Sequence, residues 1–214
     1  MTMLLGTDCE AVRDLAAALR ADLVEVPDVA APAGIDWAWA GALEGWRASA
    51  ARGSQVGSVV VAAWMNDAGE PLALDQLDLD GWLTRHEVPF ARWFAAMGVA
   101  AARCADRGSI VAVAEQPAPL DCAGRAAETG LADAVETLAR SLARSEGPRG
   151  VRVNTVTTPA RLTRLPVVLP PPPLATFPGA VTLEVAGAVR ALLSHDSAGI
   201  TATTVHADCG RTGR

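Results

Sequence analysis

The sequence predicts an α/β protein in which a parallel β-sheet lies between two layers of helices. Short apolar runs that suit buried strands alternate along the chain with segments of helical periodicity. Half of the 214 residues are hydrophobic and the mean hydropathy is +0.24, so the chain can bury a substantial core. No apolar run reaches the roughly 18 residues that a membrane span requires.

Composition excludes several function classes. The net charge of −6 argues against nucleic acid as a partner. The N-terminus has no basic flank before an apolar run, which predicts no signal peptide and a cytoplasmic protein. The cysteines lie far apart and in no metal-ligand spacing, which predicts reduced, mostly buried thiols, without a metal site or a disulfide framework. They are Cys9, Cys104, Cys122 and Cys209.

The first half of the chain is predicted to form three strands and two helices. The strands cover residues 3–5, 22–26 and 58–63, and the helices cover residues 11–20 and 41–51. Val12, Leu15 and Leu19 share the apolar face of the first helix, and Asp8 is its predicted N-cap. An Ala- and Pro-rich loop over residues 28–40 separates the second strand from the second helix.

The second half continues the same alternation. After a loop over 66–80, a helical stretch covers 82–103, and Pro89 predicts a kink or a late helix start within it. Further strands are predicted at 109–113, 151–156 and 200–206, and further helices at 131–144 and 182–193. The proline-rich run over 166–173 predicts polyproline II geometry, and this rigid segment is either a linker or a strap across a neighbouring subunit.

Several stretches of this chain resemble the short-chain dehydrogenase/reductase family. They include Gly-Ser-Ile-Val at 108–111, Leu-Ala-Arg-Ser-Leu-Ala-Arg at 138–144, and Gly-Pro-Arg-Gly-Val-Arg-Val-Asn at 147–154. The run over 191–210 is similar to the family's ending. The resemblance implies one Rossmann-like, doubly wound domain over 1–214. Residues 57–210 form its family-like core, and residues 1–56 form a reduced nucleotide-binding half.

The catalytic residues that this resemblance implies are absent. The family uses a tyrosine as acid and base, a lysine four residues later, a serine and an asparagine. Aligned on residues 138–142, these positions hold Glu128, Ala132, Glu115 and His86 in that order. The whole chain contains no tyrosine, and all 18 of its basic residues are arginines. We therefore expect no stand-alone NAD(P)-dependent redox activity.

The nucleotide-binding loop is also degenerate. Of the family's three loop glycines only Gly6 remains, and Glu10 and Val12 occupy the other two positions. Asp8 and Glu10 would repel phosphate, and Trp64 is expected to intrude where the cofactor's sugar lies in the family. The short distance between the first strand and the strand at 58–63 indicates that one βα unit is missing. We expect no bound cofactor.

Three functions remain open at this stage. In the first, the chain is an inactive subunit that assembles, through its long helix pair, with an active paralogue or with itself. In the second, the pocket at the family's active-site positions performs cofactor-free lyase, isomerase or cyclase chemistry with His86, Glu115 and Glu128. The alternative for the two glutamates is that they are solvated at a relaxed pocket rim. In the third, the chain binds a small molecule without turning it over.

The tryptophans need an account of their own. Trp37, Trp39 and Trp46 cluster in the shortened N-terminal region, and the chain has only three phenylalanines against six tryptophans. These rings are predicted either to fill the space left by the missing unit or to form an aromatic face for a ligand or partner.

Overall fold

The computed structural model describes residues 1–29, 39–67, 69–163 and 174–212, and in these ranges the chain forms one parallel sheet of six strands. The strands are β1 (Thr2–Gly6), β2 (Asp22–Glu25), β3 (Val56–Ala62), β4 (Cys104–Glu115), β5 (Arg152–Thr158) and β6 (Thr204–His206). Their spatial order is β2-β1-β3-β4-β5-β6, and every neighbouring pair is parallel. No helix in the described ranges is long and apolar enough to cross a bilayer.

Helices cover both faces of the sheet. They are α1 (Glu10–Leu19), α2 (Ala40–Ala50), α3 (Leu79–Trp82), α4 (Val88–Arg103), α5 (Ala126–Glu146) and α6 (Ala186–Leu193). Helices α1 and α6 pack against each other on one face, whereas α4 and α5 lie on the other, with α2 packed on α4. This arrangement confirms the predicted three-layer, doubly wound α/β fold.

The strand order reverses between β1 and β3. In doubly wound sheets such a reversal opens a crevice at the carboxyl ends of the strands, where ligands bind. A six-stranded dinucleotide-binding sheet has its third strand beside the second, at the edge of the sheet. Among the described residues, no strand lies beyond β2 at that position. In the described residues, β2 is therefore the edge of the sheet, which agrees with the expected shortening of the N-terminal half.

The core lies around the central strands. Val59, Val60 and Val61 of β3 have no exposed surface, and neither do residues 110–113 of β4. Strands buried on both faces carry such continuous runs of apolar, often β-branched residues, which is why the sequence pattern located them. A smaller cluster joins α2 to α4 and contains Trp39 and Leu43, with Trp46 packed against it. These two tryptophans pack between α2 and α4, and whether they replace a missing unit stays a prediction, whereas Trp37 lies outside the described residues.

Four local expectations need correction. Asp8 is not the N-cap of α1, because Cys9 takes that position and the Asp8 carboxylate pairs with Arg13 instead. The last strand covers only Thr204–His206, because Ala202 has a φ of 58° that interrupts the extended backbone. The loop at 66–80 contains a 3₁₀ turn at Leu74–Gln76 and the start of α3.

The fourth correction concerns the stretch before α4. A π-helical segment, Leu83–Glu87, joins α3 to α4 without a break, and Pro89 is the second residue of α4. The helical stretch therefore begins at Leu79 and includes a π segment, rather than beginning at residue 82. The proline-rich run over 166–173 lies outside the described residues.

Candidate functional site

The candidate site lies at the carboxyl ends of β1, β3, β4 and β5. Because the strands are parallel, Gly6 at the end of β1, Trp64 just after β3, Glu115 at the end of β4 and Arg161 after β5 meet at one edge of the sheet. The first turn of α5, which carries Glu128, closes the site from the side.

Glu115 is almost completely buried, with 11% of its side chain exposed. Its Oε1 lies 3.3 Å from Nη1 of Arg161, but this contact lacks hydrogen-bond geometry, and Oε1 has no hydrogen-bond partner in the described part of the chain. Burial raises the pKa of Glu115 to about 7, although the nearby Arg161 and Arg125 oppose the shift. The cost of removing a charged carboxylate from water therefore outweighs the attraction of the two guanidinium groups.

Glu128 is also buried, and one of its two carboxyl oxygens, Oε1, is well paired. Its Oε1 accepts hydrogen bonds from both Nε (3.1 Å) and Nη2 of Arg85, and Nη1 of Arg125 lies 3.5 Å away. The N-terminal turn of α5 adds a favourable field for a negative charge. These contacts fix the position of the Glu128 side chain, although its Oε2 accepts no hydrogen bond from the described residues.

Both glutamates line the same small cavity. Ala132, at the family's lysine position, and Trp64 are further lining residues. The space that water can occupy there is about 20 Å³, enough for about one water molecule. Small-molecule sites usually enclose several hundred Å³. The cavity is therefore too small for an organic substrate, and the expectation that both glutamates are solvated at an open rim is wrong.

His86 does not join this pair of carboxylates. It lies in the π-helical segment, where its ring stacks on Trp82 with centroids 4.3 Å apart and faces Phe90 at 6.3 Å. Its Nδ1 is 3.4 Å from Oε1 of Glu87, and it does not line the cavity. Of the three candidates for cofactor-free chemistry, the structure brings Glu115 and Glu128 to one cavity and leaves His86 outside it.

The loop between β1 and α1 does not fit a dinucleotide. A Cβ on Gly6 would come within 2.6 Å of Val12, because that fully buried side chain packs directly on the glycine. Gly6 is therefore required for packing between β1 and α1, and this close approach is not evidence for a ligand. Glu10, exposed in the first turn of α1, presents a carboxylate where a phosphate would bind a helix N-terminus.

The crevice itself is spanned by side chains of this chain. The indole of Trp64 is buried and donates from Nε1 to the Val113 carbonyl at 2.6 Å. The guanidinium of Arg161 lies 5.5 Å from the Trp64 ring centroid, and its Nη2 donates to the carbonyls of Met65 (2.7 Å) and Asn66 (3.0 Å). Its Nη1 is 3.7 Å from Sγ of Cys9, on the β1 side. Arg161 thus bridges both sides of the point where the strand order reverses. With Trp64 and Arg161 across the crevice, the residues present there do not fit NAD(P).

Sequence reasoning missed the three arginines that define this site. Arg85, Arg125 and Arg161 come from three different segments, and none is near its partner glutamate in sequence except Arg125, three residues before Glu128. A buried carboxylate almost always has a cationic or hydrogen-bonding partner, so the existence of such partners could have been predicted, but not which arginines they are. No group of three or more His, Cys, Asp or Glu residues in the described ranges could hold a metal ion.

Fold and site together define an α/β protein of the Rossmann-like class with a filled nucleotide crevice. The family model described as enoyl-(acyl carrier protein) reductase matches residues 3–167, and the chain belongs to the short-chain dehydrogenase/reductase family. A search of curated protein sequences finds no match.

Solved structures show the same fold. A double mutant of a short-chain dehydrogenase/reductase from Serratia marcescens is 21% identical, with a TM-score of 0.68 over 99% of this chain and 97% of that one. A short-chain dehydrogenase/reductase from Serratia marcescens BCRC 10948 is 18% identical, with a TM-score of 0.66 over the same shares. A Listeria innocua protein is 14% identical, with a TM-score of 0.63 over 96% of this chain and 98% of that one. At these identities the likeness concerns the fold.

Proposed function

We propose that this chain is a catalytically inactive subunit of the short-chain dehydrogenase/reductase type, which assembles with an active NAD(P)-dependent paralogue. The observation that carries the proposal is the filled crevice. Arg161 and Trp64 occupy the reversal point of the sheet, and the cavity beside Glu115 and Glu128 has room for about one water. A protein that bound NAD(P) and a carbonyl substrate would need both spaces open.

The proposed assembly surface is the α4–α5 groove, a shallow depression between the two long helices. It is lined by Phe90, Asp133, Ala134, Thr137, Leu138 and Ser141. Phe94 follows Phe90 by one helical turn on α4 and is 58% exposed. A large exposed aromatic side chain beside an apolar groove is typical of a surface that is covered by a partner.

The test is co-expression with the neighbouring genes, followed by native mass spectrometry and titration of the purified assembly with NAD(H) and NADP(H). We expect a mixed assembly whose nucleotide stoichiometry equals the number of partner chains. Phe94→Asp should dissociate it, whereas Leu74→Asp, at a leucine 70% exposed in the loop before α3, should leave it intact. A purified chain that binds nucleotide by itself would refute the proposal, as would a stable lone monomer.

A second candidate function is cofactor-independent proton-transfer chemistry, such as that of a lyase, isomerase or cyclase. One observation favours it: Glu115, with a pKa raised to about 7 by burial, lies in the same cavity as the ion-paired Glu128. Two carboxyl groups in different environments can divide the roles of acid and base. For this function the cavity must enlarge on substrate binding. Any turnover found in a substrate screen should then be lost in both Glu115→Gln and Glu128→Gln.

A further inference from the structure

A second depression lies at the opposite edge of the sheet, at the amino ends of β3, β4 and β5. We call it the basic bowl, and its lining includes the glycines Gly57, Gly108 and Gly150 together with Arg107, Arg152 and His195. It encloses about 260 Å³. A Cβ on Gly57 would meet no atom within 4 Å, so open space lies beside this glycine, whereas a Cβ on Gly108 would meet Sγ of Cys104 at 2.5 Å, so Gly108 is required for packing.

An irregularity in β4 presents Arg107 to this bowl. Between the paired positions Val56–Cys104 and Ser58–Ser109, β4 contains extra residues that bulge from the ladder. Arg107 lies in this bulge with a φ of 62°, a left-handed conformation that is unfavourable for an arginine. The residue is exposed, and its guanidinium makes no hydrogen bond or ion pair with the rest of the described chain. Strained backbone that presents an unpaired charge is often functional.

Arg152 adds a second cation that no carboxylate balances. Its guanidinium donates to backbone carbonyls only, among them those of Leu192 (2.8 Å) and Ser197 (3.0 Å), and it forms no ion pair with a described residue. Burial lowers the pKa of Arg152, because removing the charged guanidinium from water costs free energy. A bound anion would offset that cost.

The acidic side chains near the bowl are turned to other partners. Asp106 pairs with Nε of Arg149 at 2.9 Å, and Asp196 accepts a hydrogen bond from the Ser194 hydroxyl at 3.1 Å. No described aspartate or glutamate lines the bowl. A chain of net charge −6 thus keeps a pocket with two arginines and a histidine free of carboxylates.

We propose that the basic bowl binds a small oxyanion, a phosphate- or carboxylate-bearing molecule, beside Arg107 and Arg152. Guanidinium groups bind both anions through charge-assisted hydrogen bonds, and side-chain-free backbone allows the ligand to approach closely. This site is distinct from the filled crevice and does not depend on the proposed assembly.

The test is calorimetric titration of the chain at low ionic strength with inorganic pyrophosphate and, separately, with succinate. The same titrations are followed by NMR spectroscopy. The backbone amide resonances of Gly57, Gly108 and Gly150 report binding at the bowl, whereas the amide resonance of Gly6 reports binding in the crevice. We expect saturable binding that shifts the three bowl glycines and leaves Gly6 unchanged. Tighter binding of pyrophosphate identifies a phosphate ligand, and tighter binding of succinate identifies a carboxylate ligand.

A matched pair of variants separates specific binding from general attraction. Arg107→Asn should weaken binding about tenfold, because it removes a charge-assisted contact and asparagine tolerates the left-handed backbone. Arg20→Asn is the control, since Arg20 is also exposed and has a φ of 52° at the end of α1. Absence of saturation with both anions would overturn the proposal. So would shifts centred on Gly6, or equal weakening by the two variants when both retain the wild-type thermal midpoint.

Discussion

Replacing Glu115 by glutamine should change how the stability of this protein depends on pH. Glutamine has the shape of the protonated glutamate but cannot ionise. Burial raises the pKa of Glu115 from its ordinary value of 4.5 to about 7 in the folded chain. Below pH 4.5 the side chain is protonated in both the folded and unfolded states, so ionisation costs nothing. As the pH rises from 4.5 through 7, the unfolded chain ionises freely while the folded chain resists, and the wild type loses stability.

The size of this loss follows from the shift. A change from 4.5 to about 7 corresponds to about 3 kcal/mol between about pH 4 and pH 8. Glutamine also loses the charge contact with Arg161, which lies 3.3 Å from the carboxylate. That attraction is already contained in the pKa of about 7, because Arg161 opposes the shift, so it adds no separate pH dependence. The free energy of unfolding of Glu115→Gln, relative to wild type, should therefore rise by about 3 kcal/mol across this range.

Urea denaturation in steps from about pH 4 to pH 8 measures the difference directly. Glu25→Gln is the control, because Glu25 is exposed at the end of β2 and its replacement should leave the pH profile parallel to that of the wild type. A parallel profile for Glu115→Gln as well would show that Glu115 is solvated or fully compensated. The assignment of a closed, filled site would then fail.

Three further outcomes follow from buried contacts elsewhere. Arg211→Ala should lower the free energy of unfolding by about 3 kcal/mol in urea titration. The reason is that the substitution removes a fully buried guanidinium and leaves its partner Asp121, 3.0 Å away, without a counter-charge. Trp64→Phe should cost about 1–3 kcal/mol in the same assay by removing the donor to the Val113 carbonyl; an unchanged midpoint would show that water reaches that oxygen. In the native protein the exposed Cys122 should react first with a thiol reagent. Cys104 should react only on unfolding, since burial raises its pKa to about 11; equal rates would contradict its burial.

Much of the fold was predictable because its elements are long or strongly patterned. Residues 131–144 have a clear helical period, and the structure extends that helix to Ala126–Glu146. The apolar triplet at 59–61 located β3 for the same reason. Predictions were wrong where one backbone angle decides the outcome, as at Ala202, whose left-handed conformation shortens β6. No pattern of residue types predicts that angle for an alanine.

The candidate site was only half predictable. The positions of Glu115, Glu128 and Ala132 follow from the resemblance, and the structure places all three at one cavity. The arginine partners could not be predicted, because Arg85 lies 43 residues from Glu128 and Arg161 lies 46 from Glu115, and only the folded chain brings them together. With these arginines beside them, both glutamates are buried next to a guanidinium group rather than solvated at an open rim.

A reversal of strand order opens a crevice whether or not a ligand is bound, and in this chain side chains span that crevice. Apolar side chains alone would leave the carbonyls of Met65 and Asn66 without partners, and Arg161 supplies both hydrogen bonds. Glu115 lies beside this guanidinium at the end of β4 and balances its charge when the carboxyl group is ionised. The residues at the positions that the family uses for catalysis and cofactor binding therefore depend on one another in this chain. If the proposed inactive function holds, a tyrosine at position 128 and a lysine at 132 would leave Arg85 and Arg161 in place, and we expect no redox activity from those two changes alone.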